Sequence, residues 1–266
     1  MSFESFLTQT SPMVFAEITA TKGSTPREAG TFMLVSERGL WGTIGGGNLE
    51  FAAIDRARGI LAGSAAEGML NFTLGPDSGQ CCGGVVEVKL AKLEPSDAEA
   101  LRARHAEQQR QNPDVFVFGA GHVGRALASA LAPLPLRVVM AETRAGELED
   151  LPPEIGTRLE AMPEGLVREI RPGGAAIILT HDHALDFLIA AEALKREDLA
   201  YVGMIGSKTK RGVFAHHLKR QGLDTALMQR LVLPIGGDKV RDKRPEVIAA
   251  LVAAELLAAL FQDKGR

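Results

Sequence analysis

Cysteine is nearly missing from this chain of 266 residues: there are two, Cys81 and Cys82, and they are adjacent. Neighbouring Cα atoms lie about 3.8 Å apart across a trans peptide, too close for an unstrained disulfide, so the sequence holds no disulfide framework. It holds no four-ligand zinc pattern either. Aromatic residues are scarce at 5%, with one tryptophan and one tyrosine. Charge of one sign is also lacking, since 30 Lys and Arg against 33 Asp and Glu leave a formal charge of -3 and a pI near 6.1. That balance gives no basic excess for a nucleic acid or an anionic membrane, so any anion must be held locally. Long apolar runs are missing as well. The apolar stretch from Val247 to Phe261 is interrupted by Glu255, and the opening MSFESFLTQTSP has an early acid and no signal-like core. The expectation is a cytoplasmic protein that neither crosses a membrane nor binds nucleic acid.

What the chain has in quantity is glycine, 29 residues of it, in a sequence that is 45% hydrophobic and 24% charged. This is the composition of a soluble globular protein with many tight turns, and its length suits two domains. Residues 1–93 read as short strands with glycine-rich turns: Val14 to Ala20, Thr31 to Val35, Leu40 to Ile44, Met69 to Thr73 and Val85 to Leu90. One helix interrupts them, with Asn48 as its expected N-cap, Phe51, Ile54, Ala57 and Leu61 on its apolar face, and Gly63 closing it. Residues 94–112 form a polar helical stretch with too few apolar residues for a core helix, which reads as a linker. From Pro113 to residue 266 buried strands alternate with helices, as in VFVFG, RVVMAE, AAIILT and YVGMIG, and a last helix begins at Pro245. This alternation predicts a parallel sheet with helices on both faces. The fold class is therefore α/β: an N-terminal α+β domain followed by a Rossmann-type parallel-sheet domain.

Gly119, Gly121 and Gly124 form a GxGxxG directly after an apolar strand and at the mouth of a helix, where the motif brings backbone N–H groups to a phosphate. Glu142 closes the next strand, at the place of an acid that binds a ribose hydroxyl in dinucleotide sites. Tight strand–helix packing is the other use of those glycines, and His122 inside the loop faces either a ligand or solvent. Gly45, Gly46 and Gly47 precede a helix with Glu50 in its first turn, which makes either a second anion site or a sharp capped turn. Arg27 sits alone in the turn GSTPR. Gln80, Cys81 and Cys82 lie in a glycine-flanked loop, unlike cysteines buried inside apolar runs; thiolates there ligate a soft metal or carry sulfur, or the pair is incidental. His181, Asp182 and His183 follow a strand, at the end of a parallel sheet where ligands bind. They line a pocket, bind a divalent metal, or cap the next helix. Ser207 and Lys208 stand between a strand and a helix, suited to an anion or to a basic surface.

Taken in order, KGSTPREAG, GTIGGGNLE, GQCCGG, VFGAGHVGRALA, THDHALD, YVGMIGSKTKR and LPIGGDKV resemble the XdhC/CoxI family over nearly the whole chain. The resemblance implies a non-enzymatic accessory protein that binds the molybdenum cofactor in its molybdopterin form and holds it during sulfuration. It would then promote insertion into the molybdenum-binding subunit of xanthine dehydrogenase, with a cysteine desulfurase as sulfur donor and a homodimer as an expected assembly. It makes Cys82 the cysteine of the family's CGG motif and Cys81 the extra one of the xanthine dehydrogenase branch, both close to molybdenum or to the incoming sulfur. Arg27, Gly45 to Gly47 and Glu50 match the motifs of the N-terminal domain, and Gly119, Gly121, His122 and Gly124 match the Rossmann loop. Glu142 departs from the family's usual aspartate, and the loop with Asp238, Lys239 and Arg241 carries more charge than the wider family, as a partner surface would. NAD(P) is the less expected ligand; it belongs to the competing reading, a nicotinamide-dependent oxidoreductase using GxGxxG, Glu142 and an acid-base group at His181 or His183.

Overall fold

The structure is a computed structural model that describes residues 3–8, 12–75 and 83–262. The chain divides into two compact units, Met1–Ala106 and Glu107–Arg266. The division falls inside the polar helix α3 (Pro95–Gln111).

In the N-terminal unit a short helix, α1 (Phe3–Leu7), is followed by β1 (Met13–Lys22), β2 (Phe32–Ser36), β3 (Leu40–Gly42), α2 (Gly47–Leu61), β4 (Gly68–Thr73) and β5 (Val85–Lys92). The strands form an antiparallel sheet in the order β3-β2-β1-β5-β4. Alternation along β5 buries Val86, Val88 and Leu90 on one face, where they meet Leu49, Ala53, Ala57 and Ile60 of α2. The helix face differs from the expected one. Phe51 is 65% exposed, because it falls outside the stripe of Leu49, Ala53, Ile54, Ala57 and Ile60 that faces the sheet, and the helix begins at Gly47 with Gly46 as its N-cap. Asn48 is thus inside the helix and not its cap. The other face of the sheet carries a second cluster, Phe3, Phe6, Phe32 and Leu34 with Leu101 of α3. The first part of α3 therefore belongs to a core, against the expectation of a bare linker. Arg104 pairs with Glu17 at 2.7 Å and lies over the Phe32 ring, and His105 stacks on Phe3.

In the C-terminal unit β6 (Asp114–Phe118), α4 (His122–Leu131), β7 (Arg137–Glu142), β8 (Gly156–Leu159), β9 (Ala175–Ile178), α5 (His183–Lys195), β10 (Tyr201–Met204), α6 (Lys208–Arg220), β11 (Leu231–Val232) and α7 (Pro245–Leu260) follow in turn. Every strand pair is parallel, in the order β11-β10-β9-β6-β7-β8. The order runs outward from β6 to β8, then returns beside β6 and runs out the other way, which is the doubly wound arrangement of a Rossmann domain. Helices α4 and α7 cover one face over Val115, Val117 and Ile177; α5 and α6 cover the other over Phe116, Ile178 and Val202. At the amino ends of the strands, Asp114 is fully buried and takes both prongs of Arg137 at 2.6 Å as well as the Arg171 guanidinium. Burial alone raises its pKa, but these guanidinium bonds and the Arg171 N–H outweigh it and bring the carboxyl down to about 2. That cluster ties β6, β7 and the start of β9 together at the end away from the motif loops.

Candidate functional site

Parallel strands all point one way, so the loops after β6, β7, β9, β10 and β11 emerge on one edge of the sheet, and every motif of the C-terminal unit sits there. The three glycines of GxGxxG differ in what they do. At Gly119 the φ of 113° is one that L side chains avoid, and a Cβ would lie 2.5 Å from the Leu179 carbonyl oxygen. At Gly124 a Cβ would lie 2.1 Å from the oxygen of Gly119. Both are packing glycines. Gly121 alone has nothing within 4 Å of its Cβ position, so it is the one that leaves room for a ligand.

Glu142 does not stand open at the end of β7. It is 3% exposed; one oxygen accepts the Ala120 N–H at 3.0 Å, and the other accepts the Thr143 N–H at 2.9 Å and the Thr143 hydroxyl at 3.1 Å. Arg144 adds Nε at 3.2 Å to one oxygen and Nη2 at 3.2 Å to the other. Burial pushes this carboxyl up, yet the Arg144 bond and the backbone N–H groups win and hold it at about 2. Both oxygens are thus engaged by protein donors, and Ala120 N–H is spent on Glu142. A ribose would have to displace these bonds, which weakens the physical case for a nicotinamide dinucleotide at this loop.

After β9 the bland use of the HDH run is the observed one. Asp182 N-caps α5, accepting from Ala184 N–H at 2.7 Å and Leu185 N–H at 3.4 Å, while His181 and His183 are exposed beside it. Among the described residues no group of three or more His, Cys, Asp or Glu side chains is placed to hold a metal ion. The acid that points inward is Asp186, one turn further along α5 and fully buried. It accepts from the Thr180 N–H at 2.9 Å and hydroxyl at 2.7 Å, and pairs with Lys210, whose side chain is 9% exposed and also reaches the Ile205 carbonyl oxygen at 2.8 Å. Ser207 N-caps α6 through the Lys210 N–H at 3.3 Å, and Lys208 is exposed. Asp186, the second carboxylate of the THDHALD run, and Lys210, which closes GMIGSKTK, therefore join the loops after β9 and β10. The signal for them was weak: two charged residues one turn inside otherwise ordinary helix starts.

In the N-terminal unit the glycine turn is closed in a similar way. Glu50, in the first turn of α2, accepts the Thr43 hydroxyl, the Ile44 N–H at 3.1 Å and the Gly46 N–H at 3.2 Å, and Gly45 N–H goes to Thr43 Oγ1 at 3.1 Å. Three successive amides are spent on the chain's own side chains. Around this turn the structure brings distant motifs together. A Cβ on Gly45 would lie 2.7 Å from Pro26 and 3.5 Å from Arg27, so the GSTPR loop is laid against it. Ser24 bridges Gly83, and a Cβ on Gly84 would lie 2.3 Å from the Ser24 carbonyl oxygen. Arg27 is exposed, and Gly46 and Gly83 have open space where a side chain would be. Gln80, Cys81 and Cys82 lie outside the described residues, but Gly83, the next residue in sequence, is held against the GSTPR loop.

The profile of the XdhC Rossmann domain matches residues 115–256, and that of the XdhC and CoxI family matches residues 6–73. The chain belongs to the XdhC family. Among curated relatives, this XdhC-family chain is 27% identical over 265 residues to the uncharacterised protein YqeB of Escherichia coli strain K12. The match takes in 94% of this chain but 44% of YqeB, so the chain spans under half of that relative's length. A crystal structure described as a xanthine dehydrogenase from Bacillus halodurans shares the fold with a TM-score of 0.75 at 19% identity, over 98% of this chain and 95% of that one. No helix among the described residues is long and apolar enough to cross a membrane.

Proposed function

We propose that this XdhC-family chain is an accessory protein of a xanthine dehydrogenase that carries the molybdenum cofactor as cargo, shields it during sulfuration, and hands it to the dehydrogenase. The observation that carries the reading is the meeting of three separate loops in the N-terminal unit: GSTPR, the Gly45–Gly47 turn, and the Gly83–Gly84 end of the cysteine motif. Loops are brought together at a cost in chain entropy, and here they come together at Gly83, the residue that follows Cys82 in sequence. The residues present suit an anionic, soft-metal cargo. Arg27 supplies a cation free of any ion pair among the described residues, Gly46 and Gly83 leave room, and the adjacent thiols supply sulfur chemistry. A phosphate would not find its donors on the amides of residues 44–46, which Glu50 and Thr43 already occupy; Arg27 takes that role. A cysteine desulfurase in the cytoplasm delivers the sulfur, and a homodimer is the assembly this reading favours.

A carrier acts transiently, because a permanent complex would consume one carrier for each enzyme. The test is co-purification with a dehydrogenase in cells grown with and without molybdate. The expected result is capture of the cofactor-free dehydrogenase and a cysteine desulfurase, with release once the cofactor is inserted. Stable, equal association with the finished enzyme would make this chain a subunit and end the carrier reading.

A further inference from the structure

A well-formed cavity of the C-terminal unit lies away from the GxGxxG loop. It has a volume of about 600 Å³ and opens between the loops after β10 and β11 and the first turns of α7. That size lies within the roughly 300–1,000 Å³ of small-molecule sites. Its floor is apolar, from Ile205, Pro234, Ile248 and Leu251, while Arg241 and Lys243 stand on its rim. Neither cation has a hydrogen-bond or ion-pair partner among the described residues. The acid between them, Asp242, is already neutralised: Arg244 reaches it with Nη2 at 2.7 Å and with its N–H at 2.9 Å. Two cations without a partner among the described residues thus stand beside an apolar lining, in a chain whose net charge is -3.

The wall of this cavity is fixed, not fluid. Gly236 and Gly237 take φ of 75° and 70°, which only glycine adopts freely, so no side chain fills the mouth. Glu255, the lone acid that interrupts the apolar face of α7, accepts the Gly236 N–H at 3.0 Å and the Tyr201 hydroxyl at 2.7 Å and pins the turn. The Tyr201 hydroxyl is held far from ionisation, by burial first and by the Glu255 carboxylate second, so it stays protonated and donates to Glu255. At the other candidate place, the crevice between the loops after β6 and β9, Gly119 is packed against Leu179 and Thr180 and Glu142 is spent on protein donors.

We propose that the cavity beside α7 is a binding site for a nucleotide, its base on Ile248 and Leu251 and its phosphate on Arg241 and Lys243. The site lies in the C-terminal unit and does not depend on the cysteines, so it stands or falls separately from the carrier reading. The test is calorimetric titration of the full chain at low salt with ADP, with adenosine and with inorganic phosphate. ADP is expected to bind more tightly than either adenosine or inorganic phosphate, since it alone engages both the apolar lining and the cations. Arg241→Glu with Lys243→Glu, or Val240→Glu on the same exposed rim, weakens that binding by about tenfold or more. The same charge change on the outer face of α6, Lys219→Glu with Arg220→Glu, leaves it unchanged. No binding of ADP, binding that the rim variants do not alter, or inorganic phosphate binding as tightly as ADP would each overturn the proposal.

Discussion

The turn at Gly45–Gly47 in the N-terminal unit and the loop from Gly119 to Gly124 in the C-terminal unit look alike in sequence, and each precedes a helix. Each has recruited a glutamate to its own amides, yet by different routes. Glu50 is a local partner, within seven residues of Thr43, Ile44 and Gly46, and no cation joins it among the ion pairs of the described residues. Glu142 is 22 residues from Ala120, is buried, and brings Arg144 with it. The first arrangement caps a turn; the second locks two strands and a helix. A glycine-rich loop is therefore not an open anion site merely by composition, because the chain's own carboxylate competes for the same N–H groups.

The sharpest way to break this comparison is to fill the second loop. Gly124→Val should cost at least about 4 kcal/mol, since its Cβ alone would sit 2.1 Å from a backbone oxygen. Gly121→Ser, at an N-cap with open space around it, should cost about 1 kcal/mol or less. Urea unfolding of the two variants checks this; equal losses would mean that the loop's packing has been misread. Next in size is Asp186→Ala, which strands the Lys210 ammonium in a site 9% exposed and should cost about 3 kcal/mol. If that variant unfolds like the native chain, the bridge between the loops after β9 and β10 carries no stability.

Smaller still, and most informative for the contrast between the two glutamates, is the loss of charge at each. The Glu142 carboxyl is depressed from 4.5 to about 2, so its contribution is fully present above pH 4.5 and is lost as pH falls from 4.5 towards 2. Allowing for the half-exposed Arg144, Glu142→Gln should cost about 2 kcal/mol at pH 7 and little at pH 2. Glu50→Gln, which keeps an acceptor oxygen for its turn, should cost about 1 kcal/mol at pH 7. A larger loss for Glu50→Gln than for Glu142→Gln would reverse the contrast drawn between the two turns.

The sequence made the architecture legible because its signals are local: period-2 strands in one half, apolar strands alternating with helices in the other, and proline opening α7 at Pro245. Elements whose stability comes from tertiary contact were not legible, such as β8, whose four residues are all exposed, and β11, two residues long. The same holds at the site. Its motifs were visible as glycine and charge patterns, but the partners that decide their use were not. That Glu142 closes on Ala120, that Asp182 caps a helix while Asp186 turns inward, and that Lys210 and not Lys208 answers it, all depend on which way each side chain faces across the fold. Phe51 shows the limit most simply, since the face of α2 that meets the sheet runs through Leu49, Ala53, Ala57 and Ile60 and leaves it in solvent.

The central claim, that the loop cluster leading into Cys81 and Cys82 holds a molybdenum cofactor in transit, is tested most directly by its cargo. The full chain would be purified without oxygen from cells that make the cofactor, and its molybdenum and oxidised pterin measured beside the Cys81→Ser, Cys82→Ser variant. The account predicts molybdenum and pterin in equal amounts on the native chain, and loss of both or failure of sulfuration in a variant that remains folded. A native chain free of pterin, or a variant that retains the cofactor and still supports full xanthine dehydrogenase activity in cells, would contradict it.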